Sequence, residues 1–340
     1  MDEPTGTSQP GGAAPLSGRR DRFRGALLGF AVGDALGAPA EFLSPQQVAE
    51  RWGVLTEMVG GGCHGVAPGE VTDDTDMMLC LAESLVSTRT FDPDDIVRRY
   101  VAWFDSDPND VGVTVRTVLL SIRSGTPWDR ASRRAHEVLG RMTAGNGSLM
   151  RSPAIALRYA ADPVQRRDAA LRESALTHFD RLAGWACVAY TDLVATAIAG
   201  TPASLRAALP AIAAAVEPDE PRVAGVLRDA LEAEREEIVA SGYVLETLKA
   251  AVWAVMRNDD LEATIVEAVN LGDDADTVGA VAGALAGALY GEAAIPSRWT
   301  AALTVTERVR DAAEGLAGLC EAGQPLGRAR ETEDNGSARR

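Results

Sequence analysis

Glycine returns at every fourth position twice in this chain, at Gly25, Gly29, Gly33 and Gly37 and again at Gly279, Gly283, Gly287 and Gly291. Both runs lie in apolar segments with helical spacing, GALLGFAVGDALG and TVGAVAGALAGALYG. An interior glycine costs a helix about 0.8–1 kcal/mol relative to alanine, so two full ridges need a compensating gain. The gain on offer is close approach, because an i, i+4 row without side chains admits another backbone. Two arrangements provide it: each ridge takes a different neighbour, or the two ridges meet in the centre. An antiparallel meeting would set the end of the first helix beside the start of the second, bringing Glu41 close to Asp274, Asp276 and Thr277.

The rest of the body reads as helix after helix. Apolar spacing of three and four recurs in TDMMLCLAESLV, DPDDIVRRYVAWF, FDRLAGWACVAYTDLVATAIAG and YVLETLKAAVWAVMR, and no run alternates in the manner of a strand. An all-α fold is expected. A length of 340 residues suggests two average domains, but no linker or repeat divides the body. One helical domain is therefore expected over residues 20–323. Residues 1–19 and 324–340, poor in large apolar side chains, are expected to be disordered tails.

Lys and Arg number 33 against 49 Asp and Glu, a net charge of −16. Such a chain lacks the basic face that general nucleic-acid binding or an anionic membrane surface requires. The four cysteines, Cys63, Cys80, Cys187 and Cys320, are far apart and form no CxxC pair. That excludes a multi-thiolate zinc cage and argues against a disulfide framework. No signal-peptide pattern opens the chain. The longest strongly apolar uncharged stretch, Thr277 to Gly291, falls short of the about 20 residues that span a bilayer. A cytoplasmic location is expected.

Two acidic clusters carry the chemistry. One is Thr72-Asp73-Asp74-Thr75-Asp76, the other Gly272-Asp273-Asp274-Ala275-Asp276-Thr277, and each precedes an apolar helix. Capping explains one acid or threonine at such a place. It does not explain three carboxylates so close together, which repel and raise one another's pKa unless a cation neutralises them. Carboxylates and hydroxyls without Cys or His suit Mg²⁺ or Mn²⁺ rather than zinc. A pair of such ions shared between the clusters is the economical arrangement.

Three smaller features accompany them. Gly145-Asn146-Gly147-Ser148 is a turn of small residues whose bare N–H groups can cradle phosphate oxygens, with Arg151 available to assist; Asn-Gly is also a common tight turn. His178 follows Thr177 at the head of a helix pattern, whereas His64 and His136 show no comparable setting. Asp110 and Gly112, in DVGVTV, precede another helix pattern.

Taken in this order, GALLGFAVGDALGAPAEF, VTDDTD, DVGVT, GNGSLMRSP, THFD and LGDDADTVGAVAGALAGALYG resemble the ADP-ribosylglycohydrolases, the family of the dinitrogenase-reductase-activating glycohydrolase. The resemblance covers about Arg22 to Tyr290. It implies a single compact orthogonal helical bundle with a central binuclear site for two Mg²⁺ or Mn²⁺ ions. It also implies removal of ADP-ribose from a modified protein or small molecule, ADP-ribosyl-arginine among them. By position it makes Thr72, Asp73, Asp74, Asp274, Asp276 and Thr277 metal ligands. Glu41 and Asp110 become the candidate catalytic carboxylates. Gly145, Asn146, Gly147 and Ser148 become the pyrophosphate loop, and Gly112 and His178 further substrate contacts. DVGVTV departs from the usual DIGNTT, keeping Asp110 and Gly112 but not the polar residues that follow, and Asp273 replaces a frequent glycine. Two rival readings share these features: a protein that holds ADP-ribose and metal without cleaving, and a two-metal nucleotide phosphohydrolase.

Overall fold

The computed structural model describes residues 16–322, and among them there are α-helices, short 3-10 turns and two isolated β-bridges but no strand. In chain order the helices are α1 (Leu16–Gly37), α2 (Pro45–Trp52), α3 (Asp73–Thr88), α4 (Pro93–Phe104), α5 (Val113–Arg123), α6 (Trp128–Val138), α7 (Pro153–Arg158) and α8 (Pro163–Ser174). They continue as α9 (Arg181–Ala199), α10 (Pro202–Val216), α11 (Pro221–Asp229), α12 (Val244–Arg257), α13 (Leu261–Val269), α14 (Ala275–Tyr290), α15 (Ser297–Ala302) and α16 (Thr306–Ala322). The first helix starts at Leu16, so residues 16–19 of the expected N-terminal tail are helical. The remainder of that tail and the whole C-terminal one lie outside the described residues.

Local chemistry explains several of the starts. Asp92 and Asp162 each cap a helix through two backbone N–H groups, with proline at the first helical position behind them. Ser44 and Gln47 form a reciprocal capping box at α2, and Thr201 and Ser204 do the same at α10.

The two glycine ridges meet. Gly25 faces Gly287, Gly29 faces Gly283, Gly33 faces Gly279 and Gly37 faces Ala275, so each step of four along α1 matches a step of four back along α14. A Cβ on any of these glycines of α1 would overlap the backbone opposite. From Gly25 onward the other faces of α1, Asp34 excepted, and those of α14 from Val278 to Leu289 are apolar and buried, among them Leu27 and Phe30 on α1 and Val281 and Leu285 on α14. A helix apolar all round belongs in the middle of a protein, and the neighbours supply the cover: α9, α12 and α13 on α14, α16 on α1. Val118 and Ile122 of α5 with Ala131 and Ala135 of α6 make a small separate cluster at the edge.

α9 amends the reading of apolar stretches. By length and composition it is sufficient to cross a bilayer, and 78% of its apolar window is buried inside the protein. Burial in the core accounts for its composition, and its Tyr190 hydroxyl donates to the Val281 carbonyl of α14 at 2.7 Å.

Candidate active site

The antiparallel pair fixes where the chemistry sits. α1 ends at Gly37, a 3-10 turn over Ala38–Ala40 follows, and Glu41 comes next, beside the start of α14. The joint is closed by backbone: the Phe42 N–H donates to the Asp273 carbonyl at 2.6 Å, and the Asp273 N–H to the Leu43 carbonyl at 2.7 Å. Phe42 and Asp273 both adopt positive φ, 61° and 51°, an uncommon conformation outside glycine.

α3 brings in the first acidic cluster. Thr72 is its N-cap, with its hydroxyl accepting from the Asp74 N–H at 3.4 Å, so capping occupies the threonine and leaves the carboxylates free. At α14 the N-cap Asp274 makes no side-chain cap bond at all. The clusters touch where the Thr277 hydroxyl donates to Oδ2 of Asp74 at 3.2 Å, an oxygen that also accepts from Thr72 at 3.2 Å. The other oxygen of Asp74 is buried and has no hydrogen-bond partner among the described residues.

Two sets of three carboxylates draw within 4.8 Å of one another and share Asp276: Asp34 with Asp74, and Glu41 with Asp110. Burial pushes the carboxyls of Asp73, Asp74 and Asp276 well above the usual range, and neighbouring carboxylates push the same way: chiefly Asp110 on Asp73, Asp34 on Asp74 and Glu41 on Asp276. Burial also raises Asp274, against hydrogen bonds from Asn146 and Thr277. Glu41 is pushed up to about 7 by burial, with Asp110 adding to it and His64 opposing. Carboxylates in this state are short of positive charge. The orphaned oxygen of Asp74 and the all-oxygen donor set fit a hard divalent cation, and these buried acids can hold metal.

A cleft of about 710 Å³ opens over this floor, lined by Glu41, Asp73, Asp110, Gly112, Gly145, Asn146, Gly147, His178, Asp274, Asp276 and Thr277. Its size suits a cofactor-sized ligand. Thr72 and Asp74 sit behind the wall, both buried. The glycine loop is pinned to the segment before α12, with the Asn146 N–H donating to the Gly242 carbonyl at 3.0 Å and the Val244 N–H to Ala144 at 3.1 Å. The Asn146 amide donates to Asp274 at 2.7 Å and to Thr247 at 3.0 Å, so this side chain steadies the second acidic cluster. The Gly112 N–H donates to Asp73 at 3.4 Å and steadies the first. His178 packs so closely under the loop that a methyl group on Gly147 would come within 2.9 Å of its ring. Burial, helped by Arg151, pushes its pKa down to about 3, which keeps the imidazole neutral.

Several expectations change. Ser148 does not line the cleft: its fully buried hydroxyl pairs with Ser174 at 2.8 Å and accepts from the Cys187 thiol. Arg151 is no phosphate ligand either. It is wholly buried and donates to Glu173 at 2.6 Å, the Gly147 carbonyl at 2.8 Å and the Thr177 hydroxyl at 2.7 Å, bracing the loop from behind. Asp76 turns away from the acidic floor to accept from the Trp103 indole at 3.1 Å. Asp273 stands exposed at the rim.

Two residues of the site were missed. Asp34, buried on α1, accepts from the backbone N–H groups of Thr72 and Thr75 and from the Thr75 hydroxyl, which docks α3 onto α1. A lone acid in a helix of small apolar residues was the available signal. His64 lies with Nε2 2.6 Å from Glu41 and 3.7 Å from Asp110, carried there by the glycine-rich GGGCHG loop.

Comparison with known proteins shows the family. The ADP-ribosylglycohydrolase family matches residues 15–326. The ADP-ribosyl-[dinitrogen reductase] glycohydrolase of Rhodospirillum rubrum is 34% identical, over 88% of this chain and 97% of its own. The ADP-ribosylarginine hydrolase Tri1 of Serratia proteamaculans is 35% identical, over 89% of this chain and 80% of its own. Among solved structures, an ADP-ribosylglycohydrolase-related protein complex superimposes with a TM-score of 0.76 at 38% identity, covering 89% of this chain and 99% of that one. The family match and these relatives define a glycoside-type hydrolase that removes ADP-ribose from a modified substrate. The chain belongs to the ADP-ribosylglycohydrolase family.

Proposed function

We propose that the chain is a divalent-metal-dependent hydrolase that frees ADP-ribose from an ADP-ribosylated protein, with arginine as the modified side chain. The observation that carries this is the contact between the two acidic clusters, where Thr277 and Thr72 meet one oxygen of Asp74 and the other is left bare. Two carboxylate triads sharing Asp276 support a pair of ions, Mg²⁺ or Mn²⁺. Thr72, Asp73 and Asp74 would hold them from one side, and Asp274, Asp276 and Thr277 from the other. Bound there, the ions would supply Lewis acidity toward ribose hydroxyls and water.

The chain's own residues do the rest. Cleavage at the anomeric carbon builds oxocarbenium character, and carboxylates facing the cleft stabilise it. Glu41 and Asp110 border the same space and can hold the attacking water and take its proton. Gly145, Asn146 and Gly147 present backbone to the pyrophosphate, with neutral His178 against the loop. A guanidinium leaving group is cationic, and Glu41, Asp110 and Asp273, which line the cleft, give it the opposite charge. The two relatives named for ADP-ribosylated dinitrogen reductase and ADP-ribosylarginine support the same linkage. A cytoplasmic setting belongs to this reading, supported by four free cysteines.

The test is product analysis on ADP-ribosyl-arginine protein with Mg²⁺, with Mn²⁺ and with EDTA. Free ADP-ribose, lost with EDTA, is expected. AMP or phosphate as product would overturn the reading in favour of a phosphohydrolase, and binding without release would favour a non-catalytic protein.

A further inference from the structure

The loop between α2 and α3 turns tightly, with Gly60, Gly61, Gly62 and Gly65 all at positive φ and one antiparallel bridge from Gly61 to Val66. It presents Cys63 and His64 to Glu41. Nε2 of His64 lies 2.6 Å, and Sγ of Cys63 3.5 Å, from the same Glu41 oxygen. All three donor atoms fall within 4.8 Å of one another, a spacing that ligands about 2.0–2.3 Å from one ion adopt. Nε2 of His64 is buried yet has no hydrogen-bond partner among the described residues, its approach to Glu41 not counting as one. Cys63 is exposed, so solvent reaches the site.

We infer that Glu41, Cys63 and His64 form a binding site for one zinc ion, and that zinc held there inhibits the enzyme by withdrawing Glu41 from the cleft. One sulfur, one nitrogen and one oxygen suit a borderline-soft ion, whereas the adjoining all-oxygen floor suits a hard one. Binding forms Zn–S, Zn–N and Zn–O bonds, releases the Cys63 thiol proton to solvent and leaves the fourth tetrahedral position to water. No multi-thiolate cage is involved, in keeping with the scattered cysteines. The inhibitory half rests on the role given to Glu41 above; the binding half rests on geometry alone.

The experiment uses the full chain in saturating Mg²⁺, with Co²⁺ as the spectroscopic probe for binding and Zn²⁺ for inhibition. One equivalent of Co²⁺ should raise a thiolate-to-cobalt charge-transfer band in the wild type, none in Cys63→Ser and a weakened one in His64→Ala. Zn²⁺ should suppress ADP-ribose release in the wild type at concentrations at least about tenfold below those needed for Cys63→Ser, whose zinc-free activity is unchanged. No thiolate band in the wild type, or equal zinc potency in both proteins, would overturn the inference. A wild type that shows the band but releases no ADP-ribose overturns the proposed function and the inhibition, and leaves the zinc site standing.

Discussion

Arg151 and Glu173 meet at 2.6 Å with neither side chain open to solvent. The pair lies directly behind the glycine loop, because the same guanidinium also holds the Gly147 carbonyl. Arg151→Gln should therefore cost stability in the substrate-free protein, about 3–5 kcal/mol for a buried charge left without its partner. Urea unfolding measures this. An arginine serving only as a phosphate ligand would leave that midpoint unchanged and raise KM alone.

His178 gives the protein an acid-sensitive element. Unfolded, its imidazole titrates near 6.5; folded, near 3. Between those values the unfolded chain takes up a proton that the folded chain refuses, so stability falls as pH drops from about 6.5 towards about 3. One such group contributes about 1.6 kcal/mol of loss between pH 6.5 and pH 5. In His178→Asn the difference in unfolding free energy between those two pH values should shrink by that amount. An unchanged difference would show that the imidazole is charged in the folded protein.

The helix interface distinguishes glycines by position. Gly33→Ala drives a methyl group into the Gly279 carbonyl and should destabilise by about 3 kcal/mol or more, because backbone on both sides prevents relief. Gly225→Ala on α11 meets nothing within 4 Å and should stabilise by up to about 1 kcal/mol through helix propensity. Thermal unfolding of the two variants checks the contrast.

Removal of metal should lower stability as well as activity, since the buried carboxylates lose their counter-charge. Restoring Mg²⁺ at a hundred times its Kd should return about 2.7 kcal/mol. Asp276→Ala, at the junction of both carboxylate triads, should reduce kcat/KM by about 100-fold or more while circular dichroism stays helical. Differential scanning calorimetry with and without EDTA reads the first effect. A melting temperature indifferent to EDTA would exclude a metal held on these residues.

Much of this site was legible in the sequence, and what was not shares one cause. The glycine ridges announced a close helix contact because only backbone approach repays rows of glycine inside two helices, and the acidic clusters stood out because capping leaves most of their carboxylates unused. Periodicity and local composition survive folding unchanged. Direction does not: Ser148 and Arg151 belong to the loop that motif reading selected, yet the turn aims Ser148 at Ser174 and Arg151 at Glu173. Asp34 and His64 needed knowledge of which segments become neighbours. Asp34 matters only once α3 docks on α1, and His64 only once a glycine turn folds it over Glu41.

The interlock of α1 with α14 also limits how the acidic floor can adapt. With backbone meshed against backbone at every fourth residue, the helices cannot glide past each other by a fraction of a turn. The next matching register lies four residues along, about 6 Å away, so a slide requires a full-turn jump rather than a small shift. The spacing between the shoulder that carries Glu41 and the acids that open α14 is thus set in whole teeth, like a rack. Accommodation of a larger or smaller cation, or of a bulkier leaving group, falls to rotamers and to the short turn around Phe42 and Asp273.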